Sequence, residues 1–232
     1  MCIRDSYKRE EIFRQEGWNY HLEQKEGPLK YNGVVYNEMK GAFSSPDEVL
    51  EREIMNHLFP DTTYGCESGG DPKNIPDLTY ENFLNFHRTY YHPSNSYIYL
   101  YGNMDMEEKL AFLDEHYLSH FDYLDVDSVI QEQKAFGACR DVTLEYPVAE
   151  NEGEEDNTYL SYNMVVGNAA DSQMAMAFEV LDYALLSAPG APLKQALLDV
   201  KAGKDVYGSY DDGILQPYFT AVSYTHLRAH ET

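Results

Sequence analysis

Apolar positions recur at helical spacing over several stretches of the chain. In "KYNGVVYNEMKGAF" the residues Val35, Met39 and Phe43 fall on one side, which predicts a helix from about Asn32. "SSPDEVLEREIMNHLFP" opens with a start signal: Ser45 as N-cap, Pro46 at the first helical position and Glu48 completing a capping box. A second helix ending before Pro60 is expected. Thr79 caps a third, "TYENFLNFHRTYY", with Phe83, Phe86, His87 and Tyr90 along one stripe, and Pro93 ends it by disfavouring helical geometry at His92. Asp105 with Glu108 starts another, running to about His120. From Asp171, Met174, Phe178, Leu181 and Leu185 form a core stripe, and "PGAPLKQALLD" starts a shorter helix.

Alternation and β-forming residues predict strands at "SYIYLYGN", "RDVTLEYP" and "TYLSYNMVVG", the last with Leu160, Tyr162, Met164 and Val166 on one face. "GKDVYGSYDDG" and "LQPYFT" suggest a pair. The stretch from Asp61 to Leu78 is a long Gly-, Pro- and Asp-rich loop, of the kind that is functional or disordered when it occurs inside a compact domain. Residues 121–140 lose periodicity and read as a connector, and "AENEGEEDN" is an acidic excursion. The order does not repeat as strict βαβ units. The expected fold class is α+β, with helices on one face of a largely antiparallel sheet.

Composition adds constraints. Seventeen Lys and Arg against forty Asp and Glu leave a formal charge of −23, which repels nucleic acid and anionic lipid and attracts basic peptides or cations. An acidic, solvated surface that aids solubility explains the same charge. No run approaches the about 18 apolar residues of a membrane span. Of three cysteines, Cys66 and Cys139 lie in the body of the chain without a CxxC or a disulfide framework, favouring a reducing compartment, cytoplasmic or organellar matrix, over a secreted one.

The two ends are related in an unusual way. Met1–Ser6 can be encoded ATG TGT ATA AGA GAC AGC, whose reverse complement, GCT GTC TCT TAT ACA CAT, translates as residues 221–226. An inverted-repeat adapter on both ends of a DNA fragment produces this relation; folding does not. Residues 1–6 and 221–232 are therefore expected to be non-native, adapter-derived ends, and His226 and His230 are set aside with them. The charge is unchanged, because Arg4 offsets Asp5 and Arg228 offsets Glu231.

Glu38, in "GVVYNEMKG", is the candidate for chemistry. A glutamate on a helix is ordinarily a solvated surface group, and one alone carries little. Its company matters more. "YNGVVYNEMKGAFSSPDEVL" followed by "YGCESGGDPKNIPDLTYENFLNFHRTYYHPSNSYIYLYGN" resembles the presequence-protease branch of the insulinase-type, or pitrilysin-type, zinc metallopeptidases over about Trp18 to Asn103, with a fainter likeness to about Thr220. The resemblance implies α+β units, four in the parent, enclosing a peptide-sized chamber. It places the later part of the first, zinc-binding domain at 7–122, a connector at 123–140 and the beginning of the second domain at 141–220.

The resemblance also assigns Glu38 as the distal zinc ligand, beside two histidines of an inverted HxxEH motif. Two imidazoles and one carboxylate leave zinc a fourth position for water, whose pKa falls to about 7, and the HxxEH glutamate acts as general base. No HxxEH occurs in the chain; the family places it farther upstream than the thirty-seven residues that precede Glu38. The implied parent is a zinc metalloendopeptidase of unfolded peptides, with basic ones suggested by the charge, whose fragment here is expected to be inactive. A non-catalytic structural or partner subunit of the same superfamily remains an alternative, and an acidic binding module a third reading that leaves the ordered motifs unexplained.

Other suggestive residues have plainer explanations. His116 and His120 stand at i, i+4, a spacing that can place two ligands on one helix face, but they lack a carboxylate partner and read as packed or exposed histidines. Asp122, Asp125 and Asp127 lack the glycine and terminal glutamate of a calcium loop. "SGGDP" is not followed by the Lys-Ser/Thr of a phosphate loop and is expected to shape the catalytic domain. His87 and His92 are expected to be structural.

Overall fold

The computed structural model describes residues 8–148, 155 and 157–225. They form two compact units, one from residues up to 42 together with 68–129, the other from 43–67 together with 130 onward. Residues 1–6, the histidines at 226 and 230, and most of the acidic excursion lie outside the described residues.

The first unit begins with helix α1 (Glu10–Glu16), followed by a hairpin of β1 (Asn19–His21) and β2 (Lys30–Asn32), antiparallel with Tyr20 opposite Tyr31. Helix α2 (Val34–Ala42) follows at once, and α4 (Tyr80–Tyr90) and α5 (Met106–His116) come later in the chain. Phe13, Trp18 and Ile75 are its buried centre, with Val35, Tyr36, Met39, Tyr80 and Phe83 packed around them. Trp18 satisfies its indole N–H on the Leu78 carbonyl at 2.8 Å, as a buried tryptophan must.

The second unit carries α3 (Pro46–Leu58) and a three-stranded antiparallel sheet ordered β3 (Tyr159–Val165), β5 (Tyr218–Tyr224), β4 (Asp205–Asp211). Helices α6 (Ser172–Asp182) and α7 (Pro192–Asp199) flank a π-helical turn, Tyr183–Ser187. Every residue of β5 is buried. Such a strand needs cover on both faces. Phe219 and Ala221 face Phe178, Leu185, Leu186 and the α7 leucines, whereas Tyr218 packs with Ile54, Leu58 and Phe59. The sheet is thus sandwiched, in place of the single helical layer expected. The central strand continues past Thr220 through Ala221–Tyr224, four positions expected to be foreign.

Several local expectations change. Ser45 is the N-cap of α3 and Pro46 its first residue, but no side-chain cap bond forms, so the capping box with Glu48 is absent. Thr79 does cap α4 with a complete box, its partner being Asn82. On α4 the core uses Tyr80 and Phe83, while Phe86 and Tyr90 are exposed. The stripe of α2 keeps Val35 and Met39 but loses Phe43, which lies beyond the helix end under the Arg52 guanidinium at 4.5 Å. Helix α5 stops at His116 and a 3-10 turn, Leu118–His120, replaces its last turn.

The segments 96–103 and 140–147 form no strand. A strand requires a neighbouring edge, and none pairs with either segment among the described residues; Tyr97, Tyr99 and Tyr101 are exposed. Strand β3 forms as expected, although Leu160 and Tyr162 are exposed; its end, at Met164 and Val165, and Val166 just beyond it meet the core.

Candidate functional site

Glu38 sits in the middle of α2, and the geometry of that helix begins at Gly33. Gly33 has φ +147°, and a Cβ there would lie 2.3 Å from the Gly17 carbonyl oxygen and 2.7 Å from Trp18 Cα, both backbone atoms. Only glycine fits such an approach. The Asn37 amide donates to the Gly33 carbonyl at 3.0 Å to close the first turn, and the Tyr36 amide donates to the Gly17 carbonyl at 3.3 Å. The Asn37 side chain adds a bond to Asn32 Oδ1 at 2.9 Å, which ties the helix to the end of β2.

With Val35, Tyr36 and Met39 turned into the Phe13–Trp18–Ile75 core, Glu38 is left exposed and its carboxylate makes no hydrogen bond or ion pair with another described residue. A carboxylate on a well-seated helix, clear of internal partners, has its oxygens free to ligate. Beside the start of α2 lies a shallow depression of about 430 Å³, lined by Arg14, Asn19, Asn32 and Asn37 among others; Glu38 is not part of its lining.

The loop containing Ser68–Pro72 reaches the same helix. A Cβ on Gly69 would stand 2.2 Å from Met39 Sδ, and Gly70 has φ +91°. Asp71 then organises the descent into the core. Its Oδ1 accepts from the Lys73 amide at 2.7 Å, and its carbonyl accepts from Asn74 and Ile75 at 2.8 and 2.9 Å.

Among the described residues no group of three or more His, Cys, Asp or Glu side chains is arranged to hold a metal ion. A zinc centre of the expected kind takes two imidazoles and a carboxylate, and the donor set here contributes the carboxylate alone. His116 and His120 are exposed, and the His116 ring packs on Phe112 with centroids 4.6 Å apart. Asp122, Asp125 and Asp127 are exposed. His87 stacks on Tyr91 at 4.9 Å; His92 Nδ1 faces the Ser94 amide at 3.2 Å and its ring meets Phe121 edge-on. Cys66 and Cys139 are exposed and not disulfide-bonded.

The sequence reading passed over the glycines that seat α2. Gly33 was detectable as the residue immediately before a helical period, whereas the approach of Gly69 to Met39 joins residues thirty positions apart and has no local signal.

The family model for the "Peptidase M16 inactive domain" matches residues 77–228, a stretch that begins beyond Glu38. "Protein HypA" of Clostridium perfringens is 52% identical over 216 residues, covering 93% of this chain and 22% of that protein. "Presequence protease 1, chloroplastic/mitochondrial" of Arabidopsis thaliana is 39% identical over 222 residues, 94% of this chain and 20% of its own length. The chain thus spans about a fifth of the curated relatives it matches. Among solved structures, a chain of "Complex III2 from Candida albicans, Inz-5 bound" superposes with a TM-score of 0.55 at 12% identity, over 83% of this chain and 46% of that one, a likeness of fold. With the family model covering more than half of its residues, the chain belongs to the M16 peptidase family.

Proposed function

We propose that this chain is a segment of a zinc metalloendopeptidase of the presequence-protease type and that Glu38 is a ligand of its metal. The observation that carries the assignment is the presentation of Glu38: an exposed carboxylate on a helix that is fixed in the Phe13–Trp18–Ile75 core through the adjacent Val35, Tyr36 and Met39. Likeness to a presequence protease over nearly the whole chain supports the same reading. Zinc, when held, supplies a Lewis acid that activates water at neutral pH. Glu38 contributes a negative oxygen ligand and fixes the metal from its own helix. The two imidazoles come from elsewhere in the parent protein, so the isolated chain neither binds zinc tightly nor cleaves peptides.

The substrates are unfolded peptides enclosed in a chamber, and the charge of −23 favours basic ones. Matched basic and acidic peptides should be cleaved at different rates at low salt; equal rates remove the charge argument. In the full-length protein, Glu38→Gln should lose most bound zinc and turnover together. Retention of both would refute the metal assignment.

A second reading is favoured by one finding, the match of residues 77–228 to a domain described as inactive. In it, the chain belongs to a non-catalytic subunit of the family. An intact HxxEH in the full-length protein decides for the peptidase, and a degenerate one for the subunit.

A further inference from the structure

The run "YIYLY" at residues 97–101 has the build of a strand and no sheet to join. We propose that residues 96–103 are an interior strand of a sheet completed by polypeptide of the parent protein that lies outside these residues. The inference rests on the reading of this chain as a segment of a longer protein, and not on the metal assignment.

The backbone is already extended. Ser96 opens the run at φ −136° and ψ 152°, in the β region. The Tyr99 and Tyr101 rings lie 6.4 Å apart and within 6° of parallel, as side chains two positions apart do along one face of a pleated strand. Both flanks are tied down. The Ser96 amide and hydroxyl donate to the Pro93 carbonyl at 3.2 and 2.8 Å, and Asp105 Oδ1 accepts from the Glu108 amide at 3.1 Å to start α5. Between them, no backbone group of residues 97–101 has a hydrogen-bonding partner among the described residues. An extended run with its N–H and C=O groups open on both edges is ready for a ladder on each side.

The side chains point to a permanent neighbour. Tyr97 is fully exposed, and Tyr99 and Tyr101 are 84% and 85% exposed. With Ile98 and Leu100 between them, both faces of the run are apolar or aromatic, the pattern of a strand covered on both faces. An edge that stands open at times, to receive a peptide or a second copy, is ordinarily guarded by a charge, a proline or a bulge. Residues 97–101 carry neither charge nor proline, in a chain with forty Asp and Glu. Their cover is therefore built into the same protein. This chain spans about a fifth of the relatives it matches, and the larger part of a protein of that length supplies the neighbouring strands.

The test is hydrogen exchange of the full-length protein, followed by mass spectrometry on peptides spanning residues 96–103, with light scattering to fix the oligomeric state. In the monomer, without added peptide, the amides of 97–101 should exchange about 100-fold or more slowly than in an unstructured chain. Tyr99→Pro removes a ladder donor and should release that protection and lower the melting temperature, whereas Tyr99→Phe should change neither. If the proline variant does not fold, exchange in the wild-type protein decides. A benzophenone amino acid at position 97 should cross-link, within the monomer, to a peptide outside residues 8–225. Exchange at the unstructured rate overturns the proposal, as does protection that appears only on dimerisation or on adding an unfolded peptide, or a cross-link confined to residues 8–225. Cleavage of unfolded peptides by the same preparation tests the peptidase reading separately. Protection without cleavage leaves the strand standing, and cleavage with an unprotected run removes the strand alone.

Discussion

The backbone amide of Gln133 donates to the side-chain oxygen of Gln216 at 2.6 Å, and Gln216 Nε2 returns a bond to the Gln133 carbonyl at 3.2 Å. Both residues are buried, and the Gln133 side chain completes a second exchange with Asp61, accepting from its amide and donating to its carboxylate. The chain at Gln133 is thereby fastened to the segment before β5 and to the loop after α3. Gln216→Ala strands a buried amide and carbonyl and should cost about 1–3 kcal/mol. Denaturant unfolding of the full-length protein measures it; a loss below about 0.5 kcal/mol, the level of an ordinary surface substitution, would show that water replaces the pair.

At Thr79, the hydroxyl accepts from the Asn82 amide at 3.1 Å, and Asn82 Oδ1 accepts from the Thr79 amide at 3.0 Å. Thr79→Ala should cost about 1 kcal/mol, and Thr79→Ser should retain most of the stability. Hydrogen exchange of the α4 amides reports the difference, with faster exchange expected in the alanine variant alone.

Leu186 is 4% exposed in the core cluster, whereas Leu185 is only partly buried against it. The cause is the π-helical turn, in which the Ala188 amide donates to the Tyr183 carbonyl at 2.8 Å and the extra residue rotates the following side chains. Leu186→Ala should therefore cost about 2–5 kcal/mol, the range for deleting a buried leucine, and Leu185→Ala distinctly less. Equal losses in thermal unfolding would remove the register argument.

The Tyr218 phenol is pushed up to about 12 by its burial and then by the Asp211 and Glu51 carboxylates beside it. The ordinary value is about 10. Because the folded state holds this proton more tightly than the unfolded one, its contribution is complete below about pH 10 and is lost as the pH rises towards about 12. Tyr218→Phe should flatten that part of the alkaline stability profile. An unchanged slope between those limits would show that the phenol ionises as it does in the unfolded chain.

Helices were the most legible part of the sequence. The caps at Thr79, Asp105 and Asp171 all accept from the third helical amide, because capping is a relation among residues three apart. The hairpin of β1 and β2 escaped notice because each strand is only three residues long; Tyr20 opposite Tyr31, with Trp18 against both rings, was its one available mark. The converse holds at "SYIYLYGN", whose strong β-formers predict a strand that does not form. Propensity there is genuine, but a ladder needs a second strand, and the segment's own residues cannot supply one.

The candidate site divides in the same way. Glu38 was found through the motifs around it, and the register of α2 follows from the spacing of Val35 and Met39. Neither reveals that Gly33 presses on the backbone at Gly17 or that Gly69 closes on Met39.

By itself, the sequence determined the α+β class, most helix starts, the strong negative charge and the family likeness, because these depend on composition, short-range spacing and ordered motifs. The tertiary structure alone decided which stripes are buried, which extended segments pair, and how α2 is seated. Those outcomes turn on close packing between residues far apart in the chain, where a single methyl group or one missing neighbour changes the result.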